Sequence, residues 1–345
     1  MGKEYEKNKI EILNSVLSKS NTSENPYNET INSAYFNSNS YFTNFKNELL
    51  DQYKGHALDE IEGSEFVETK YGETLKITQK EKIDFNIKKH PIKDELLCDL
   101  TLVPKIGKIR ETKLNEEGYN SIPSLLEHER YFHDAKIVLN KINNNSFAKI
   151  FHLAKKSSFE NSLKCLHYND ISNFKFMDIE TLGLSKNVPI ILIGIVEIKG
   201  KYVQSNQYFL RDKGDESAIL YGFYNHLNED SVYVTYNGAS FDVPFIKSRF
   251  NYYSMDYNHN LINYDLLYYV RKLWKNKLPN CQLTTVEEHI FDIRRKNDVP
   301  GRYIPGYYET YLKEKNIGPI IPIIKHNRMD IVSLANFLMK MVNEV

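Results

Sequence analysis

The chain has 345 residues, which is enough for one to three domains with a substantial buried core. Its formal net charge is zero and its pI is about 7.1, which excludes a strongly basic protein and requires any polyanion-binding surface to be local. Three scattered cysteines, Cys98, Cys165 and Cys281, fit neither a disulfide framework nor a zinc cluster, so a reducing cytoplasm is predicted, with no secretion signal and no membrane span.

The first half of the chain is predicted to be an accessory region. Residues 1–60 include a stretch rich in Asn, Ser and Thr with little periodicity, and we expect a loosely structured segment there. Residues 61–145 are expected to form a small accessory region that begins with a β element turning at Gly72 and continues as helices. Residues 146–172 are expected to be a linker with a short helix.

Within the accessory region, residues 102–126 resemble a helix-hairpin-helix module. In such a module a tight glycine turn between two helices offers backbone N–H groups to a phosphate. Gly107 and Lys108 lie at the predicted turn and are candidate nucleic-acid contacts, but the second glycine usual in the module is replaced by Ile109. A helical hairpin with a packing role alone explains the pattern equally well.

Two acids lie two residues apart in a predicted buried strand. Asp178 and Glu180 belong to residues 174–181, Phe-Lys-Phe-Met-Asp-Ile-Glu-Thr, whose apolar residues suit a strand covered on both faces. Positions i and i+2 of a strand share one face, so both carboxylates project together. Because buried acids are costly unless something neutralises them, a divalent cation that prefers oxygen ligands, Mg²⁺ or Mn²⁺, is the expected partner.

The following elements predict the rest of a sheet. Residues 190–196 and 202–209 are predicted as strands, followed by a helix over residues 216–228 and a strand over residues 231–236. After that strand, Asp242 is predicted to begin a helix, where the helix dipole favours an anion. Taken alone, Asp242 is explained as well by a helix-start acid without chemistry.

Cations cluster in the next stretch. Arg271 and Lys275 lie on either side of Trp274, the single tryptophan, and residues 294–296 form an Arg-Arg-Lys run. Both clusters are candidates to line a nucleic-acid groove in which Trp274 stacks on a base. The alternatives are that Trp274 fills the core, which is the commoner role, and that the cations are only solvated.

The last predicted element is an amphipathic helix over residues 324–338. His326 and Asp330 are four residues apart, so they lie one turn from each other on one face, beside the apolar stripe. A local His–Asp pair on a helix surface explains these two residues alone.

Taken in order, these motifs resemble those of the DEDD exonucleases of the ribonuclease H-like superfamily, and most closely those of the bacterial YprB-like ribonuclease H-like domain proteins. The latter share the spacing of three residues between the histidine and the last acid. The likeness covers roughly residues 170–345. The matching residues, motif by motif, are Asp178, Glu180, Thr181 and Leu182; Asn237, Phe241 and Asp242; and His326 and Asp330.

The resemblance implies a fold and a chemistry. Over residues 173–345 it implies an α/β ribonuclease H-like domain, with three antiparallel strands followed by parallel strands and with flanking helices. It implies 3′–5′ hydrolysis of phosphodiester bonds in DNA or RNA, with His326 as the proton acceptor. Two Mg²⁺ or Mn²⁺ ions would be held by Asp178, Glu180, Asp242 and Asp330, and nucleic acid would contact Thr181, Leu182, Asn237 and Phe241. An endonuclease with the same site and a non-catalytic nucleic-acid-binding adaptor are the alternatives.

Overall fold

The structure, a computed structural model, describes residues 40–82, 91–144, 146–257 and 261–343. Residues 40–52 form a helix that belongs to a separate unit, and residues 53–345 make up a second compact unit, to which all of the following applies. Of the predicted loose segment 1–60, residues 1–39 lie outside the described residues. In the described ranges, no helix combines the length and the apolar character that a membrane crossing needs.

A seven-stranded mixed sheet forms the centre of this unit. In space the strands follow the order β1-β2-β5-β4-β3-β6-β7. From β1 to β3 in that order, neighbours run antiparallel, whereas β6 and β7 continue from β3 in parallel. The predicted fold class is confirmed. The strands are β1 Ser64–Thr69, β2 Gly72–Lys82, β3 Phe174–Thr181, β4 Ile190–Lys199, β5 Tyr202–Phe209, β6 Val232–Thr235 and β7 Ile262–Asp265.

Helices flank the sheet and follow the predicted order after β5. The helix predicted after that strand is observed, and another begins at Asp242 as expected. The α-helices described in residues 53–343 are α1 Ile92–Cys98, α2 Lys108–Glu116, α3 Phe132–Asn143, α4 Phe147–Ser157, α5 Phe159–Lys164, α6 Glu216–Tyr224, α7 Asp242–Tyr252, α8 Leu266–Leu273, α9 Leu283–Phe291, α10 Ile304–Glu314 and α11 Ile321–Asn343.

The hairpin of β1 and β2, assigned from the sequence to a separate accessory region, is part of the main sheet. Gly72 begins β2 with φ 111°, a conformation that suits glycine. β2 then pairs antiparallel with β5, from Leu75 opposite Phe209 to Lys82 opposite Tyr202. The three predicted antiparallel strands are therefore extended to five.

The helical segment between β2 and β3 shares the core of the sheet. Residues 146–172, predicted to be a linker with a short helix, contribute the helices α4 and α5, and Ile150, Leu163 and Leu166 are buried. The Tyr264 hydroxyl of β7 also donates to the Ser162 carbonyl at 2.5 Å. Burying an aliphatic side chain contributes about 1.5–3 kcal/mol, so this segment is bound to the sheet and does not act as a free connection.

Candidate active site

The centre of the sheet carries the first two acids. Asp178 and Glu180 lie two residues apart on β3, so both project from one face, and Glu180 is buried. Helix α11 packs on β3 and β4, so the helix that carries His326 and Asp330 lies against the strand of the first two acids.

A polar tether sets the position of α11 on this face. The Asn327 side-chain amide donates to the Asp178 carbonyl at 3.1 Å and to its carboxylate Oδ2 at 2.9 Å, and accepts from Gln207 Nε2 at 2.9 Å. Gly194 lies opposite Asp178 on β4, and a Cβ there would overlap the side chains of Asn327 and Ile331. The helix approaches the sheet this closely because Gly194 has no side chain.

The third acid comes from the start of α7. Asp242 is buried, and its Oδ1 accepts a hydrogen bond from the backbone N–H of Ile179 at 3.2 Å. Ile179 lies between the two acids of β3, so this bond fixes Asp242 beside them. Phe241 precedes it and packs its ring on Phe245, with 5.4 Å between ring centroids.

The fourth acid and the histidine come from one face of α11. His326 Nε2 lies 3.9 Å from Glu180 Oε1 and 3.7 Å from Asp330 Oδ2. Asp330 is mostly buried and forms an ion pair with Arg295, although its Oδ1 makes no hydrogen bond. The pair with Arg295 is therefore a charge contact without hydrogen-bond geometry. The structure thus brings together all five predicted catalytic residues.

The acids raise one another's pKa. Burial raises the pKa of Glu180 to about 8; His326 opposes this shift, and the charges of Asp330 and Asp242 add to it. Burial also raises the pKa of Asp242 to about 7. The pKa of Asp178 is raised well above its usual range by burial and then by Asp242, Asp330 and Glu180. Burial and neighbouring like charges both raise the pKa of a carboxyl group, whereas a cation bound among the carboxylates lowers it.

The pKa of His326 is raised although its ring is largely buried. Burial alone would lower its pKa, but the hydrogen bond to Asp298 and the charges of Asp330 and Glu180 raise it to about 9. The ring is therefore protonated at neutral pH while the acids around it carry no added cation.

The donor set fits a hard divalent cation, although the side chains are not arranged to hold one as they stand. Four carboxylates offer only oxygen, the donor that Mg²⁺ and Mn²⁺ prefer, and one Asp330 oxygen lacks a hydrogen bond. Yet within the described residues no group of three or more His, Cys, Asp or Glu side chains is close enough to coordinate an ion. Asp178, Asp242 and Asp330 each point to a protein partner instead, so binding would require these carboxylates to rotate.

The predicted nucleic-acid contacts divide into two sets. Thr181 and Leu182 directly follow the acids of β3, and Thr181 Oγ1 donates to the Gly183 carbonyl at 2.7 Å. Asn237 is exposed, with φ 65°, and its backbone N–H donates to Asp265 Oδ1 at 2.8 Å.

The second set lies on other elements. Gly107 and Lys108 are at the start of α2, where Lys108 pairs with Glu111 at 2.9 Å. Lys275 is exposed after α8, whereas Trp274 is 4% exposed and packs on Phe291, which agrees with the core alternative.

A cleft of about 270 Å³ lies beside Asp242. It lies where β6 and β7 end, and Asp265 in its wall contributes to raising the pKa of Asp242. Tyr268 is 43% exposed, and Lys155 of α4 lies 5.7 Å from its ring centroid. The lining also includes Asn237 and the exposed Arg271. Two cations, an aromatic face and a polar amide therefore line a cleft near the start of α7, the helix that carries Asp242.

Sequence reasoning missed the residues that surround the α11 motif. Arg295, predicted as part of a surface cluster for nucleic acid, is 5% exposed on its side chain and binds Glu287, Asp298 and Asp330. Asp298 in turn binds His326 Nδ1 at 2.6 Å. In the sequence, Asp298 lies 28 residues before His326, and no spacing connects the two.

Comparison with known proteins finds similarity over the part of the chain that carries this site. Residues 175–342, which include all four acids and His326, match the family model of the RNase_H superfamily. The uncharacterized protein YprB of Bacillus subtilis (strain 168) is 30% identical over 210 residues, 57% of this chain and 48% of that protein. The chain thus spans about half the length of this curated relative. The predicted resemblance to ribonuclease H-like proteins and to YprB is confirmed at this level.

A solved structure also matches part of the chain. The family B DNA polymerase from the hyperthermophilic archaeon Pyrobaculum calidifontis aligns with a TM-score of 0.39 and 17% identity, over 49% of this chain and 24% of the polymerase chain.

Proposed function

We propose that this chain is a hydrolase that cleaves phosphodiester bonds of nucleic acid from a 3′ end, as a DEDD-type exonuclease. One observation carries the proposal: Asp178, Glu180, Asp242 and Asp330 gather from three separate elements, and burial together with the neighbouring acids raises the pKa of three of them. Concentrated negative charge of this kind costs stability, and it is typical of a site that acts with bound cations. The 3′ polarity rests on the resemblance of the motifs.

The acids would hold two divalent cations, Mg²⁺ or Mn²⁺. Such a pair, when bound, holds the scissile phosphate, activates a water and stabilises the leaving oxygen. The chain itself supplies a rigid frame for the site. Asp178 and Glu180 are fixed by the sheet, Asp242 by the Ile179 N–H, and Asp330 by α11. This frame preorganises the charges, although not the final carboxylate orientations.

His326 is the proposed proton acceptor. Its Nε2 faces the acids, whereas Nδ1 is occupied by Asp298. A ring with a pKa of about 9 is mostly protonated at neutral pH and is therefore a poor proton acceptor there. Because Asp330 and Glu180 are among the causes of that shift, neutralising their charge lowers the pKa of His326 and frees Nε2 to act as a general base.

The cleft beside Asp242 is the proposed position of the substrate strand. Arg271 and Lys155 can pair with phosphates, and Tyr268 presents a ring face to a base, which is the usual combination in sites for single strands. Lys275, Thr181, Leu182 and Phe241 are proposed to contact the same strand. Gly107 and Lys108 are proposed as a second phosphate contact on α2.

The cleft predicts two separate changes in binding. Arg271→Ala should reduce the slope of log affinity against log salt by about 0.7, the value for one phosphate of a single strand. Tyr268→Ala should weaken binding by about 1–3 kcal/mol per stacked base without changing that slope. Lys272→Ala, a neighbouring exposed cation outside the cleft lining, is the matched control. Equal slopes for the wild type, Arg271→Ala and Lys272→Ala would remove Arg271 from the substrate path.

A cleavage assay with defined ends tests the proposed function. Oligonucleotides of DNA and of RNA, labelled at either the 3′ or the 5′ end, are incubated with Mg²⁺ or Mn²⁺, alongside a circular single strand. We expect immediate release of the 3′ label as mononucleotide, stepwise shortening of the 5′-labelled strand and an intact circle. Excess EDTA should stop the reaction and added Mg²⁺ should restore it. Cleavage of the circle would identify an endonuclease, and binding without cleavage an adaptor.

We also propose a cytoplasmic location. Cys98, Cys165 and Cys281 are unpaired in the described residues, as expected of a chain that works in a reducing compartment.

A further inference from the structure

A series of hydrogen-bonded charged side chains reaches the Nδ1 atom of His326. Arg295 donates from Nε and Nη2 to the two carboxylate oxygens of Glu287, at 2.6 and 2.7 Å. Its Nη1 donates to Asp298 Oδ2 at 3.3 Å, and the other oxygen of Asp298 accepts from His326 Nδ1 at 2.6 Å. Four side chains from α9, the segment after it and α11 are thereby joined in series.

This series is anchored at its far end. Glu287 is fully buried, and it also accepts a hydrogen bond from Ser333 of α11, two turns beyond His326. A two-pronged contact between Arg and a carboxylate fixes direction as well as distance. Asp298 is therefore held on one oxygen by an immobile cation, which leaves its other oxygen aimed at the imidazole.

The two ring nitrogens of His326 consequently have different partners. Nδ1 donates to Asp298, so in the neutral ring the proton stays on Nδ1 and Nε2 carries the lone pair. Nε2 is the nitrogen that faces Glu180 and Asp330. Without Asp298 the ring could rotate or carry its proton on Nε2, and either change would remove the acceptor from the site.

We propose that Asp298, fixed by the Glu287–Arg295 pair, is a positioning residue that sets the ring orientation and the tautomer of His326. The inference rests on the proposed function for its kinetic consequence, but the contact itself is a property of the chain before any ligand binds. Asp298 does not touch the substrate in this role, because its carboxylate is taken up by His326 and Arg295.

The variant Asp298→Asn separates this role from simple packing. It preserves shape, but Arg295 can only donate, so the amide oxygen must turn to Arg295 and the amide NH₂ to His326. The ring then receives a hydrogen bond at Nδ1 and carries its proton on Nε2, the wrong nitrogen. Asp292→Asn, on an exposed acid of the same segment, is the matched control.

The test combines a proton spectrum with a double-mutant cycle. In the ligand-free chain, the His326 Nδ1–H should give a downfield, slowly exchanging proton signal that is absent in His326→Ala, lost in Asp298→Asn and kept in Asp292→Asn. In the oligonucleotide assay, Asp298→Asn should lower kcat by about 10²–10⁴-fold, the usual size of a general-base contribution, with KM nearly unchanged. It should add no loss in the His326→Ala background.

The outcomes distinguish the positioning role of Asp298 from the proposed hydrolase activity. A signal that survives Asp298→Asn, or losses that add in the double variant, would overturn the positioning role. A wild-type chain that hydrolyses no oligonucleotide would overturn the proposed function instead, while the proton signal would still decide whether Asp298 holds His326.

Discussion

Asp178→Asn is expected to lower the turnover of nucleic-acid hydrolysis by about 10³-fold or more while leaving the fold intact. Charge stabilisation by a bound cation contributes several kcal/mol to catalysis, and each 1.36 kcal/mol corresponds to a factor of ten in rate. The amide keeps the shape of the carboxylate and can still accept the hydrogen bond from Asn327. Because the change also removes one of several mutually repelling charges, the ligand-free variant should be at least as stable as the wild type.

Turnover on a 3′-labelled oligonucleotide and thermal unfolding, measured on the same preparation, check this expectation. Asp242→Asn should behave in the same way, because it removes a buried acid from another element of the cluster. Glu65→Gln is the control: this carboxylate lies on β1, is exposed and forms a surface ion pair with Lys76, so neither turnover nor stability should change by a measurable amount. Wild-type turnover in Asp178→Asn would place the chemistry elsewhere in the chain.

The sequence predicted the parts of this structure that have a local signal. Alternating or continuous apolar runs closed by turn residues identified β3, β4 and β5, and helical spacing identified α11 with His326 and Asp330 on one face. Asp242 was placed at the start of α7 because a strand and an Asn-Gly turn precede it. These features depend on neighbouring residues, so a single sequence contains them.

The contacts that escaped prediction join distant positions. β2 pairs with β5, but no pattern in residues 72–82 predicts pairing with a strand near residue 205. Arg294 and Arg295 are adjacent and chemically identical, yet Arg294 is exposed whereas Arg295 is buried among acids. What decides between them is the direction of each side chain from an irregular segment, together with the buried carboxylate of Glu287 that pairs with Arg295, and neither has a signature in the sequence.

The ligand-free protein is expected to lose stability as the pH rises from about 5 to about 9, and divalent cations should suppress that loss. In the unfolded chain Asp and Glu titrate near 4, whereas in the folded chain the pKa of Asp242 is about 7 and that of Glu180 is about 8. Between these limits the folded state binds more protons than the unfolded state, so the free energy of unfolding falls with rising pH.

His326 acts in the same direction in the upper part of this window. Its folded pKa of about 9 exceeds the unfolded value of about 6.5, so its contribution is complete below about 6.5 and is lost as the pH rises through 9. The acids with lowered pKa do not change the unfolding free energy between about pH 5 and pH 9. Glu197, with a pKa of about 2, and Asp298 contribute stability that is already complete at about pH 5 and stays constant above it.

Unfolding free energies measured by denaturant titration across this pH range, with EDTA or with saturating Mg²⁺, test the expectation. Each unit of pKa shift corresponds to about 1.36 kcal/mol, so the loss in EDTA should reach several kcal/mol. Cations bind the deprotonated carboxylates, and the stabilisation they give therefore grows with pH and flattens the profile. Asp242→Asn should reduce the slope in EDTA, whereas Glu65→Gln should leave it unchanged. A flat profile in EDTA would mean that the four acids are separated or neutralised in the ligand-free protein, and the electrostatic argument for a cation site would fail with it.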